Sequence, residues 1–64
     1  MKIGTVKVWN PNYGWGFISG DDGDDYFLNA NNIRPGQKMK VGDRVRFDVY
    51  ERQQGPAAEN VTHA

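Results

Sequence analysis

The chain has no cysteine and a single histidine among its 64 residues. Without thiols there is no disulfide to reinforce a small core, no cysteine nucleophile and no zinc site built on thiolates. The histidine, His63, stands one residue from the C-terminus, where a frayed tail is the expectation. Neither sign of charge is in excess, since eight Lys and Arg balance eight Asp and Glu. Proteins that hold duplexes by phosphate attraction carry a basic surplus, so the balance argues against that class while tolerating a single-strand binder. Apolar runs are only a few residues long, so no helical membrane span is expected. No charged-then-apolar leader is present, and a cytoplasmic protein is the expectation. No nucleophile with a base and no metal constellation stands out, so neither catalysis, metal nor cofactor is expected.

What the chain does contain is short apolar stretches punctuated by turn residues. Lys2 to Trp9 alternates loosely, and Asn10-Pro11-Asn12 ends it. Gly14 to Ser19 reads as a second strand, and Asp25 to Asn29 as a third. Between them Gly20 to Asp24 makes a hairpin turn, with Asp22-Gly23 its strongest signal. Ala30 to Ile33 fits one short helical turn capped by Asn29 or Asn31. Arg34 to Lys38 is polar and reads as a loop. Arg44 to Glu51 alternates most cleanly, with Val45, Phe47 and Val49 on one face; Ala57 to Thr62 supplies a last strand. Five short strands with no substantial helix, and no linker or repeat, predict one all-β domain over residues 1–64, a small barrel or sandwich.

The most telling stretch is Tyr13-Gly14-Trp15-Gly16-Phe17-Ile18. Residues two apart in a strand share a face, so Trp15 and Phe17 project together, and Phe27 of the next strand can join them. On composition alone such aromatics belong in a core. Here Ile18 and Leu28 already supply an opposite apolar face, and so small a protein cannot bury both. An exposed row of rings is a platform on which unpaired bases stack. Gly14 and Gly16 fit a kink or a close backbone approach rather than a phosphate loop, for which the lysine and the following helix are missing. Asp21, Asp22, Asp24 and Asp25 read as a solvated turn rather than a calcium loop, for want of the later bidentate glutamate. Arg44 and Arg46 read as an exposed strand face.

These residues resemble the cold-shock domain from about Gly4 to Thr62. Lys7-Val8-Trp9-Asn10 stands where the family has Lys-Trp-Phe-Asn. Tyr13 to Ile18 is similar to its first ribonucleoprotein motif, Lys-Gly-Phe-Gly-Phe-Ile, and Asp25 to Ala30 to its second, Asp-Val-Phe-Val-His-Phe. Gly55 to Thr62 closes like the family's Gly-Pro-x-Ala-x-Asn-Val. The resemblance implies a five-stranded antiparallel OB-fold barrel that binds single-stranded RNA or DNA, pyrimidine-rich by preference, with the action of an RNA chaperone. By position it implies Trp15, Phe17 and Phe27 as the stacking group, Lys7 as a phosphate or base-edge contact, and Asp25 as a base acceptor or loop anchor. Trp9, Tyr13 and Asn29 would support them.

The departures thin the binding face. Val8 replaces a tryptophan, Tyr13 a basic residue, Asn29 a histidine and Ala30 a phenylalanine, and no aromatic lies between Arg34 and Val41. Losing two or three stacking contacts weakens binding by roughly 2–6 kcal/mol if nothing compensates. A protein-interaction module that keeps the fold but has lost nucleic-acid binding is therefore the alternative. A monomer is expected, and a dimer that buries the platform or exchanges strands about the Arg34–Lys40 loop is the other possibility. Tyr26, where the family has valine, points inward, so either the core is rearranged or its hydroxyl reaches water at the barrel's end.

Overall fold

In the computed structural model, which describes residues 1–64, the period-two alternation becomes five strands. They are β1 (Lys2–Asn10), β2 (Trp15–Gly20), β3 (Asp25–Asn29), β4 (Arg44–Arg52) and β5 (Gly55–His63). They close into a barrel in the order β1-β2-β3-β5-β4, with β4 returning to β1. Closure removes the unpaired edges that would otherwise invite aggregation. The β3–β5 seam alone is parallel, and it is brief, pairing Phe27 with Ala57 and Leu28 with Ala58. A single 3₁₀ turn, Ala30–Asn32, follows β3. Of its two candidate caps the structure uses Asn29, whose Oδ1 accepts the Asn31 N–H at 2.8 Å.

Two irregularities bend the strands. In β1, Val6 pairs with Ile18 but Val8 pairs with Phe17, which leaves Lys7 as an extra residue. In β5 the register shifts opposite Phe47, where Asn60 takes a left-handed φ of 53°. Such bulges sharpen twist and re-aim the side chains beyond them. The left-handed region is open to asparagine more than to most non-glycine residues.

The core holds Val6, Ile18, Leu28, Val45, Phe47 and Val61, all fully buried. Met39 joins them, although it comes from the connection between the 3₁₀ turn and β4. That connection is strapped to the barrel, since Val6 N–H donates to the Asp43 carbonyl and Gly42 N–H to the Val6 carbonyl. His63 is not frayed as expected. It ends β5, its N–H donates to Gln37 Oε1 at 2.7 Å, and its ring Nε2 lies 2.7 Å from the Lys38 carbonyl. No helix is long and apolar enough to cross a membrane.

Tyr26 points inward as expected, but its hydroxyl is met within the chain. Its ring is buried against Phe47 at 5.1 Å, while its hydroxyl emerges at the barrel's end and donates to Asp22 Oδ2 rather than to water. Gly20 makes the room, because a Cβ there would lie 2.8 Å from the Tyr26 ring. Asp22 also accepts the Asp24 N–H at 3.0 Å and pairs with Lys2 at 3.0 Å. The Tyr26 hydroxyl, the Asp24 amide and Lys2 together hold its carboxyl down at about 2. The same hydrogen bond, helped by burial, pushes the Tyr26 phenol up to about 12.

Candidate nucleic-acid interface

Alternation along β2 sends Gly16, Ile18 and Gly20 inward and Trp15, Phe17 and Ser19 outward. Along β3 it sends Tyr26 and Leu28 inward and Asp25, Phe27 and Asn29 outward. Phe17 sits directly across from Phe27, and Trp15 across from Asn29. The rings meet edge to face, Trp15 with Phe17 at 6.1 Å and Phe17 with Phe27 at 5.7 Å, a favourable geometry for aromatic pairs. The three rings form one continuous outer surface, with Trp15 the most exposed.

Two glycines shape it for different reasons. Gly14 has a φ of 73° and closes the β1–β2 turn, with its N–H donating to the Asn10 carbonyl at 2.8 Å. Its own carbonyl accepts the Ala30 N–H, tying that turn to the 3₁₀ turn. Gly16 allows a close approach, since a Cβ there would lie 2.0 Å from the Val8 carbonyl oxygen. Gly14 also lines an open groove of about 760 Å³, with Trp15, Phe17 and Phe27 among its other lining residues. Tyr13, largely exposed, lines the same groove along with Asn29, Ala30 and Asn31.

Of the residues singled out in the sequence, the structure thus gathers Tyr13, Trp15, Phe17, Phe27 and Asn29. Trp9, expected beside them, lies elsewhere. Beyond the bulge at Lys7 it pairs with inward-facing Gly16, packs against the core and lines a separate depression with Ile33 and Met39. Val8 instead takes the outer position next to Phe17. Lys7 and Asp25 stand on the outer face but are engaged with one another in an exposed ion pair. Asn29 keeps its amide nitrogen available while its oxygen caps the 3₁₀ turn.

The acidic turn is likewise engaged within the chain. Asp21 takes both terminal nitrogens of Arg44, at 2.8 and 2.7 Å, and this contact lowers its pKa. Arg44 and Arg46 are exposed on β4 as expected, with the Arg44 guanidinium held by Asp21. Arg52 escaped the sequence reading. Its guanidinium lies 4.4 Å from the centre of the Phe27 ring, at the end of β4, where no alternation pattern marks it.

The 'Cold-shock' DNA-binding domain family matches residues 2–64. The chain belongs to the cold-shock domain family. It is 42% identical over 64 residues to the major cold shock protein of Streptococcus pyogenes, covering 97% of this chain and 96% of that protein. It is 41% identical over 63 residues to Cold shock protein 1 of Lactiplantibacillus plantarum, covering 95% and 96%. Cold shock-like protein CspLB of Listeria monocytogenes is 43% identical over 65 residues, covering 97% of both chains. In this cold-shock domain three rings form the centre of the groove, and Ala30 in its lining and Val8 beside Phe17 present only aliphatic carbon.

Proposed function

We propose that this cold-shock domain binds single-stranded nucleic acid, RNA first and pyrimidine-rich by preference, by stacking bases on Trp15, Phe17 and Phe27. The observation that carries this reading is the continuity of the three rings on an open face, with Tyr13 and Asn29 at the groove's rim. Every base has a π-face, so such a platform holds bases with little regard to sequence. A base held there cannot pair, and weak hairpins in a transcript melt as their strands are captured. The protein would act in the cytoplasm as a monomer, with no catalytic step and no cofactor.

Charge supports stacking as the main source of affinity. Lys2, Lys7, Lys40 and Arg44 each pair with an aspartate of the chain, leaving half of the eight Lys and Arg for phosphates. Binding should therefore depend only mildly on salt. The same pairing, with the aliphatic Val8 and Ala30, favours a second reading in which the rings meet a protein partner.

Tryptophan fluorescence titrated with a short oligo-thymidine strand and a matched duplex tests the choice. Trp9 lies off the groove, so it remains as a reporter of the fold when Trp15 is removed. Quenching by the single strand alone, lost in Trp15→Ala, is the expected result. No response at high micromolar strand would overturn the single-strand reading and leave the partner reading standing.

A further inference from the structure

Four cations have no carboxylate partner: Arg34, Lys38, Arg46 and Arg52. Arg34 and Arg46 line a depression beside Asp48, and Lys38 lies by Trp9. Arg52 touches the aromatic platform. Strand register puts it there, since Arg52 pairs with Gly55 at the tip of the β4–β5 hairpin, and Ala57, two residues on, pairs with Phe27. Its guanidinium rests on the Phe27 ring, and its Nε–H donates to the Gly55 carbonyl at 3.2 Å. The N–H groups of its two terminal nitrogens have no partner in the protein. Phe27 also lines the groove, and Arg52 does not.

We propose that Arg52 is a phosphate-binding residue, holding the backbone of a single strand where it leaves the aromatic groove past Phe27. The inference rests on the single-strand reading above. A guanidinium stacked on a ring and tethered through Nε is pre-oriented, so little freedom is lost when its fork meets the two free oxygens of a phosphate. The three rings hold bases without fixing where a strand begins or ends. A fixed phosphate contact at one end gives the track a terminus and a direction.

The test compares wild type, Arg52→Lys and Arg52→Gln by titration with oligo-thymidine at several salt concentrations. Arg52→Gln should keep its melting transition, bind about three- to ten-fold more weakly at low salt, and lose about 0.7 from the slope of log K against log salt. Arg52→Lys should retain most of the slope while losing part of the affinity, because it keeps the charge without the fork or the tether. Neutralising single phosphates as methylphosphonates should reproduce the loss at one position of the strand, with no added effect in Arg52→Gln. Unchanged affinity and slope in Arg52→Gln would overturn the proposal, as would tighter binding, which would make Arg52 a cover over Phe27. Equal weakening in both variants at unchanged slope would make the guanidinium a stacking wall and overturn it too. A wild type that binds no single strand removes the parent reading as well, whereas binding that ignores Arg52 removes this inference alone.

Discussion

The two ends of the β2–β3 hairpin use similar residues for opposite purposes. At the turn end, Tyr26 and Phe47 pack at a tilt within the barrel, Asp22 meets the Tyr26 hydroxyl and Lys2, and Asp21 meets Arg44. At the other end, Trp15, Phe17 and Phe27 face outward, and the terminal nitrogens of Arg52 have no partner. Burial without hydrogen bonds is costly, so at this closed end the part-buried Tyr26 hydroxyl needs its acceptor, while Asp21 and Arg44 pair in the open. An open end carries no such requirement, and its uncovered rings and donors are available to a ligand. Residue type alone therefore does not mark the site. What marks it is whether a group's partners lie within the chain.

The sharpest test of this contrast truncates one phenylalanine from each region. Phe47→Ala should cost about 3–5 kcal/mol, a large share of the roughly 3–10 kcal/mol that a chain of this size holds. Denaturant unfolding followed by circular dichroism should then find a substantially unfolded protein. Phe17→Ala should leave the unfolding midpoint near wild type and weaken single-strand binding by about 5- to 150-fold. Equal losses of stability in the two variants would mean that Phe17 is part of the core and the platform reading is wrong.

Gly16 sits between the two regions, inward beneath the rings. Gly16→Ala should destabilise by about 1–3 kcal/mol or more, because the backbone oxygen of Val8 cannot move aside as a flexible side chain would. Affinity measured on the fraction still folded should fall too, as the β1–β2 seam is pushed apart. A fully stable Gly16→Ala would show that the seam has slack that the strand register does not reveal.

Much of this was legible in the sequence because alternation is a local signal. Five strands, the inward Ile18 and Leu28 and the outward Trp15, Phe17 and Phe27 all follow from period two. Trp9 was not legible, because one extra residue at Lys7 reverses the side on which everything beyond it projects, and no composition rule announces a bulge. Met39 was missed because the loop around it is polar and its apolar neighbour two residues on, Val41, is exposed, so the pair marks no buried face. His63 looked like a loose end because its partners, Gln37 and Lys38, are distant in sequence. Arg52 escaped for the same reason, since Phe27 reaches it through the brief parallel seam of β3 and β5.

The closed end can be probed through pH. Asp22 is held at about 2 against an ordinary 3.8, so its contribution to stability is complete above that ordinary value and is lost as pH falls toward 2. Tyr26 is raised to about 12 from 10.0, so the neutral phenol contributes below pH 10 and the contribution is lost as pH rises toward 12. Tyr26→Phe should remove the difference in the alkaline window and shrink the acid one. Part of the acid effect should survive, because the Asp24 amide and Lys2 still hold Asp22. Urea midpoints taken across both windows would decide it, and parallel curves for the two proteins would mean that the hydroxyl contributes nothing through Asp22.

The smallest expected effect lies on the boundary, where Lys7 and Asp25 form an ion pair on the outer face. Exposed pairs contribute about 0–1 kcal/mol, so Asp25→Asn should barely move the unfolding midpoint. For binding, the two roles open to Asp25 have opposite signs. If Asp25 mainly neutralises Lys7, then Asp25→Asn frees a cation beside the rings, and affinity for oligo-thymidine should rise about two- to five-fold at low salt, a gain that high salt erases. If Asp25 accepts a hydrogen bond from a base, the same change should lower affinity at every salt concentration. The ion pair favours the first outcome, because a carboxylate already holding an ammonium must give up that contact before it can meet a base. A salt-independent loss would place Asp25 with the open end of the molecule, and the boundary between the two regions would move past it.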